Sequence, residues 1–131
     1  MRVLADVRAV AAVSDRIVLT LPAGPRYRGV ATLVLGGIGT RLDLPYERTD
    51  DLQLALVSAL ETARDGEVTL EIDASDSGAL ALTVGPVRAG SGDDSALALV
   101  LSRLVDDVSS EQRDGSEWIV LRLAPPAANL L

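Results

Sequence analysis

The chain is 131 residues long, enough for one domain with a real core, and 48% hydrophobic against 24% charged, a globular balance rather than a disordered one. It contains no Cys and no His, which excludes disulfides, thiolate metal sites, and imidazole bases and ligands. The net charge of −7 argues against nucleic acid or an anionic membrane as partner, since either needs a basic footprint.

All twelve basic residues are Arg, and with no Phe, one Trp and two Tyr the core must be aliphatic. No apolar run approaches the roughly 20 residues of a membrane span. The opening MRVLADVRAVAAVSD carries acidic residues and reads as a poor signal peptide, so a soluble cytoplasmic protein is expected.

In chain order, residues 1–15 mix Val and Ala with Arg and Asp and read as an edge strand or an arm. Arg16–Leu21 is a β-branched strand closed by Pro22 and Gly24. Pro25 opens a helix that carries Val30, Leu33, Val34, Gly37 and Ile38 at helical spacing and ends near Arg41. Gly29, Gly36, Gly37 and Gly39 each cost this helix roughly 1 kcal/mol against Ala. They point to a close backbone approach to another element, with a dimer interface as one place for it, rather than to a weak helix.

Pro45 then opens a second helix running to about Arg64. Within it, Leu52, Ala55, Leu56, Ala59, Leu60 and Ala63 form one apolar face, and Asp50 and Asp51 sit near its start, where they suit the helix dipole. Asp65-Gly66 is a turn. Glu67–Ala74 alternates strictly between Val68, Leu70, Ile72 and polar residues, the clearest half-buried strand in the chain. Ser75–Gly78 turns into a second strand, Ala79–Val84, so the two read as a hairpin.

Arg88–Asp94, RAGSGDD, is the most loop-like stretch. Ser95–Val108 reads as a third helix through Leu97, Leu101, Leu104, Val105 and Val108. Arg113–Gly115 turns the chain into a last strand, Trp118–Leu123, ended by Pro125 and Pro126, with 125–131 a frayed tail. Trp118 is expected in the core. The order β-α-α-β-β-α-β predicts an α+β two-layer sandwich: a mixed, largely antiparallel sheet with about three helices on one face, forming a single domain over 1–131.

Three stretches resemble the ATPase fold of histidine kinases, and within it the small anti-sigma-factor serine kinases. Pro25–Arg41 resembles that family's opening helix through Pro25, Tyr27, Gly29, Leu33, Gly37 and Arg41. Asp50–Ala63 resembles the helix bearing the Asn box through Asp51, Leu52, Ala55, Ala59 and Ala63. Ser95–Val108 with Trp118–Leu123 resembles the final helix and strand, so the likeness spans about Arg16–Ala124.

On that resemblance the nucleotide positions depart from the family pattern one after another. The magnesium-holding Asn falls on Thr62 and the catalytic Glu on Ser58, and Ser58 is no general base at neutral pH. Glu61 lies about 100° around the helix from Thr62 and does not replace it. The adenine-binding Asp aligns near Pro86, a box Gly near Arg88, and the last glycine box with Ala96-Leu97-Ala98-Leu99 or one residue earlier, so that Ala96 and Ala98 put methyl groups where phosphates approach N–H groups.

The resemblance therefore implies a degenerate ATP site, with no catalytic residue, no cofactor and no metal, and a cleft closed by Leu97, Ala98 and the segment around Pro86. Asp93/Asp94 and Asp106/Asp107 read as solvated faces rather than metal sites. Within RAGSGDD, Gly90, Gly92 and Arg88 offer an anion nest, although Asp93 and Asp94 oppose phosphate there and ordinary loop composition explains the glycines.

Three functions follow as expectations. The first is a non-catalytic anti-sigma-type regulator that binds a sigma factor or an anti-anti-sigma protein, with a homodimer implied and with Tyr27, Val30 and Arg41 as candidate partner surface. The second is an active ATP-dependent protein serine kinase, and the third a structural subunit of a signalling complex.

Overall fold

The computed structural model describes residues 4–9, 14–75 and 78–125. A six-stranded sheet has the order β1-β2-β3-β4-β6-β5, from β1 (Leu4–Ala9), β2 (Ser14–Pro22), β3 (Glu67–Ser75), β4 (Leu80–Val87), β5 (Asp107–Arg113) and β6 (Ser116–Leu123). Each neighbouring pair is antiparallel. Helices α1 (Arg28–Arg41), α2 (Tyr46–Leu60) and α3 (Ser95–Leu104) bury their apolar sides against one face. The expected α+β two-layer sandwich is therefore the observed one. None of the described helices is long and apolar enough to cross a membrane.

The side chains explain the layers. In β3, Val68, Leu70 and Ile72 are buried while Thr69, Glu71 and Asp73 on the other face stay partly exposed, as period-two alternation requires. Leu19 and Leu21 of β2, Leu82 and Val84 of β4, and Ile119 and Leu121 of β6 complete the inner face. From α2, Leu52, Ala55, Leu56, Ala59 and Leu60 are buried against it. Each fully buried Leu of this set contributes about 1.5–3 kcal/mol by leaving water.

The glycines of α1 divide into two pairs. A Cβ on Gly36 would lie 2.9 Å from the amide nitrogen of Gln53, and one on Gly39 would lie 2.4 Å from Thr49 Oγ1. These two let α1 and α2 approach closely within one chain, and Gln53 donates a hydrogen bond to the Thr32 carbonyl at 2.9 Å. Gly29 and Gly37 have no such neighbour within 4 Å. The close approach expected of these glycines is met inside the molecule for one pair, and the other faces open space.

Several boundaries differ from the sequence reading. The N-terminal stretch is an edge strand over Leu4–Ala9, paired with β2, while residues 10–13 and 126–131 lie outside the described set. Pro25–Tyr27 is a 3-10 turn leading into α1. Helix α2 starts at Tyr46, which makes Glu47 the acid of its first turn and moves Asp50 and Asp51 inward. It ends at Leu60, four residues short of Arg64, because 61–64 turn onto β4.

The largest correction is β5. The third helix stops at Leu104, Val105 is extended (φ −131°, ψ 168°), and Val108 belongs to a strand. Strand β5 forms a hairpin with β6 through Asp114 (φ 49°) and Gly115 (φ 78°), a two-residue turn that needs left-handed backbone at both positions. Strand β4 runs on to Val87, with its pairing to β6 shifted between Val84 and Val87 around Pro86, which has no N–H to give a ladder.

Candidate functional site

The end of α2 is zipped directly onto the end of β4. Arg88 N–H donates to the Thr62 carbonyl at 2.8 Å and Arg64 N–H to the Pro86 carbonyl at 3.2 Å, which pairs Ala63 with Val87 as an isolated antiparallel bridge. The Arg88 guanidinium reaches the Glu61 carbonyl at 3.2 Å. Thr62 is buried, and its hydroxyl donates to the Ala59 carbonyl at 2.6 Å. Thr62, Pro86 and Arg88, which are remote in sequence, thus meet at one point. Ser58 lies one turn back on α2 and is half-buried.

Residues 88–94 connect this point to α3. Ser91 is buried, and its hydroxyl donates to the Arg88 carbonyl at 2.6 Å. Asp94 caps α3, accepting from the N–H groups of Ala96 at 3.0 Å and Leu97 at 3.1 Å. The Ala96 and Ala98 methyls are exposed in the first turn, and Leu97 is half-buried against the core. A cavity of about 80 Å³ lies beneath, lined by Ser91, Leu97, Ala98, Leu101, Val108 and Ile119 among others.

The glycines of this loop do form an anion nest, and the anion is the chain's own. Gly90 N–H donates to Glu117 Oε1 at 2.9 Å and Gly92 N–H to Glu117 Oε2 at 2.5 Å. Gly90 has φ +89°, a left-handed conformation that a glycine adopts without penalty. Arg88 does not join the nest, being turned to Glu61. Glu117 escaped the sequence reading because it lies 27 and 25 residues from its donors, with no local pattern linking them.

The second acidic pair, Asp106 and Asp107, has structural partners. Asp106 accepts from the Arg48 guanidinium at 2.8 Å and from Ala124 N–H at 2.7 Å, and Asp107 lies 3.4 Å from Arg122. The Arg48 bond, followed by that from Ala124, holds the Asp106 carboxyl below its ordinary value against the opposing effect of burial. A groove of about 490 Å³, lined in part by Asp73, Leu80, Asp106, Arg122 and Leu123, lies at the opposite end of β4 from Pro86.

Of the candidate partner residues, Tyr27 and Val30 are packed against the core while Arg41 is exposed at the far end of α1. The apolar side chain that α1 does present is Leu33, at 77% exposure. Trp118 also differs from expectation. It lies on the sheet face away from the helices, over Gly85, where an added Cβ would be 2.4 Å from its ring. The Arg113 guanidinium stacks 4.6 Å from the ring centroid and also bonds Glu71 at 2.8 Å, which raises its already high pKa.

An antiparallel sheet with three helices on one face, a helix end delivered to a strand end, and a glycine loop entering a short last helix are consistent with the two-layer histidine-kinase type of ATPase fold. No protein-family model matches the chain. It is 36% identical over 69 residues to the serine-protein kinase RsbW of Listeria monocytogenes, covering 47% of this chain and 44% of that protein. It is 41% identical over 49 residues to the protein of the same name from Oceanobacillus iheyensis, covering 37% and 31%. With that of Bacillus subtilis it shares 31% identity over 65 residues, covering 44% and 41%. The chain thus spans less than half the length of these curated relatives. Over that part, the likeness to the anti-sigma-factor serine kinase branch is borne out.

Proposed function

We propose that this chain is a cytoplasmic regulatory protein of the anti-sigma-factor type that works by holding a protein partner, with its nucleotide positions out of use. The partner is a sigma factor or an anti-anti-sigma protein. The observation that carries this reading is the backbone pairing of Thr62–Arg64 with Pro86–Arg88. A cleft between these elements would have to break those hydrogen bonds before admitting a nucleotide. The residue types agree. A hydroxyl at Ser58 has no basicity near neutral pH, and the Thr62 hydroxyl is already committed to a helix carbonyl.

The catalytic alternative, a protein serine kinase, has one observation in its favour: the relatives carry that name. A titration separates the two. Addition of millimolar ATP with magnesium is expected to leave the melting temperature unchanged and to give no binding heat. A saturable stabilisation that Thr62→Ala abolishes would overturn the non-catalytic reading. Partner identity is tested by co-purification from the native host, where recovery of neither a sigma factor nor an anti-anti-sigma protein counts against the regulator and for a structural subunit.

A further inference from the structure

We propose that Glu117 is the permanent internal ligand of the 88–94 loop: its carboxylate fills a small oxyanion site, fixes the loop and the start of α3, and keeps free phosphate out. Both carboxylate oxygens are used, Oε1 by Gly90 N–H and Oε2 by Gly92 N–H. A carboxylate held by two backbone donors in this way makes charge-assisted hydrogen bonds, the stronger class. The fit is close at Gly92. A Cβ at Gly92 would lie 2.6 Å from Ser110 Oγ and 2.7 Å from Glu117 Oε2, so the backbone is seated against the β5–β6 hairpin as well as against the anion.

The lock matters because α3 meets the core along a narrow stripe, Leu101 with the half-buried Leu97 and Leu104. Of its ten residues only Leu101 is buried, and Leu99 and Val100 are 58% and 46% exposed. A helix with so narrow a buried face takes its position from its ends. The N-terminal end hangs from Asp94, directly after the loop that Glu117 fastens. Asp94 is spent on capping α3 and so does not fill the nest, and the Arg88 guanidinium, bonded to the Glu61 carbonyl, adds no donor to it. The same two N–H groups, with Glu117 removed, present a concave pair of donors of the kind that binds phosphate. The inference rests on this loop and not on the identity of any protein partner.

The test is chemical rescue with inorganic phosphate on the full chain, followed by amide NMR and thermal unfolding. In Glu117→Ala, the Gly90 and Gly92 amides are expected to exchange roughly tenfold faster or more, and the melting temperature to fall. Added phosphate should then shift those two amides saturably and recover part of the lost melting temperature, while leaving the same amides of the unsubstituted chain unmoved. Glu117→Gln keeps the length and one acceptor oxygen. It should show intermediate protection, and it provides the readout if the Ala variant does not fold. Equal responses to phosphate in the unsubstituted chain and the variants would overturn the proposal, as would undiminished protection of Gly90 and Gly92 in both variants. ATP stabilising the unsubstituted chain without moving the Gly90 and Gly92 amides would defeat the proposed function and leave this inference standing.

Discussion

At Gly39 of α1 an added Cβ would lie 2.4 Å from Thr49 Oγ1 and 3.1 Å from Thr49 Cβ, whereas at Gly37 it would meet nothing within 4 Å. The two positions share a helix and lie two residues apart, so any difference between them isolates packing from propensity. Gly37→Ala is expected to stabilise by roughly 0.5–1 kcal/mol, because the helical backbone loses the entropic penalty of glycine with no clash. Gly39→Ala gains the same propensity but pushes α1 off Thr49, and a net loss of about 1–3 kcal/mol is expected from overpacking. Urea unfolding of the two variants checks both signs. The sequence reading could count these glycines and infer a close approach. It could not tell which of them face α2, because a helical wheel shows which residues share a side and not what stands opposite.

At the scale of elements, what was legible depended on whether burial was one-sided. Strand β3 could be read because its two faces differ, and α2 because its apolar residues fall on one stripe. Strand β5, DVSSEQR, has no buried residue on either face and lies at the sheet edge, where polar residues guard against further pairing. Its Val108 also continued the spacing of Leu97, Leu101 and Leu104, so helix α3 seemed four residues longer than it is. The site was legible only in part. The meeting of Thr62 with Pro86 and Arg88 came from family resemblance, since no spacing rule joins a helix end to a strand end so far along the chain, and Glu117 was not legible at all.

The joint that ends α3 carries a pH prediction of its own. Asp106 ties α2, through Arg48, to the end of β6, through Ala124 N–H. Its folded pKa is depressed, first by the hydrogen bond from Arg48, so the joint adds stability above the unfolded value of about 3.9 and loses it as pH falls through the lower folded value. Asp106 is 42% exposed, so solvent screening makes the contribution modest. Asp106→Asn should therefore lower the urea midpoint at neutral pH. The gap between variant and unsubstituted chain should narrow as pH falls below about 4. A gap that stays constant over that range would remove the carboxylate from this role.

For the whole molecule, the distribution of charge limits how the proposed partner binds. The segment Pro25–Arg41, which contains α1, holds Arg26, Arg28 and Arg41 and no acidic residue, although the chain as a whole carries −7. A basic surface on the partner is drawn to the acidic remainder of the molecule, while contact with α1 calls for acidic groups beside an apolar residue able to cover Leu33. Docking on α1 therefore predicts a specific response to charge reversal. Arg26→Glu combined with Arg41→Glu should slow association roughly tenfold at low ionic strength, and the deficit should shrink as salt shortens the Debye length to about 8 Å near physiological strength. Docking on the acidic remainder predicts the opposite sign, since two reversed arginines deepen the negative field and speed the encounter. Stopped-flow association against ionic strength, with the double variant and the unsubstituted chain side by side, distinguishes the two by the direction of the change. Because steering acts mainly on encounter, dissociation rates should differ much less than association rates unless Arg26 or Arg41 lies inside the contact itself.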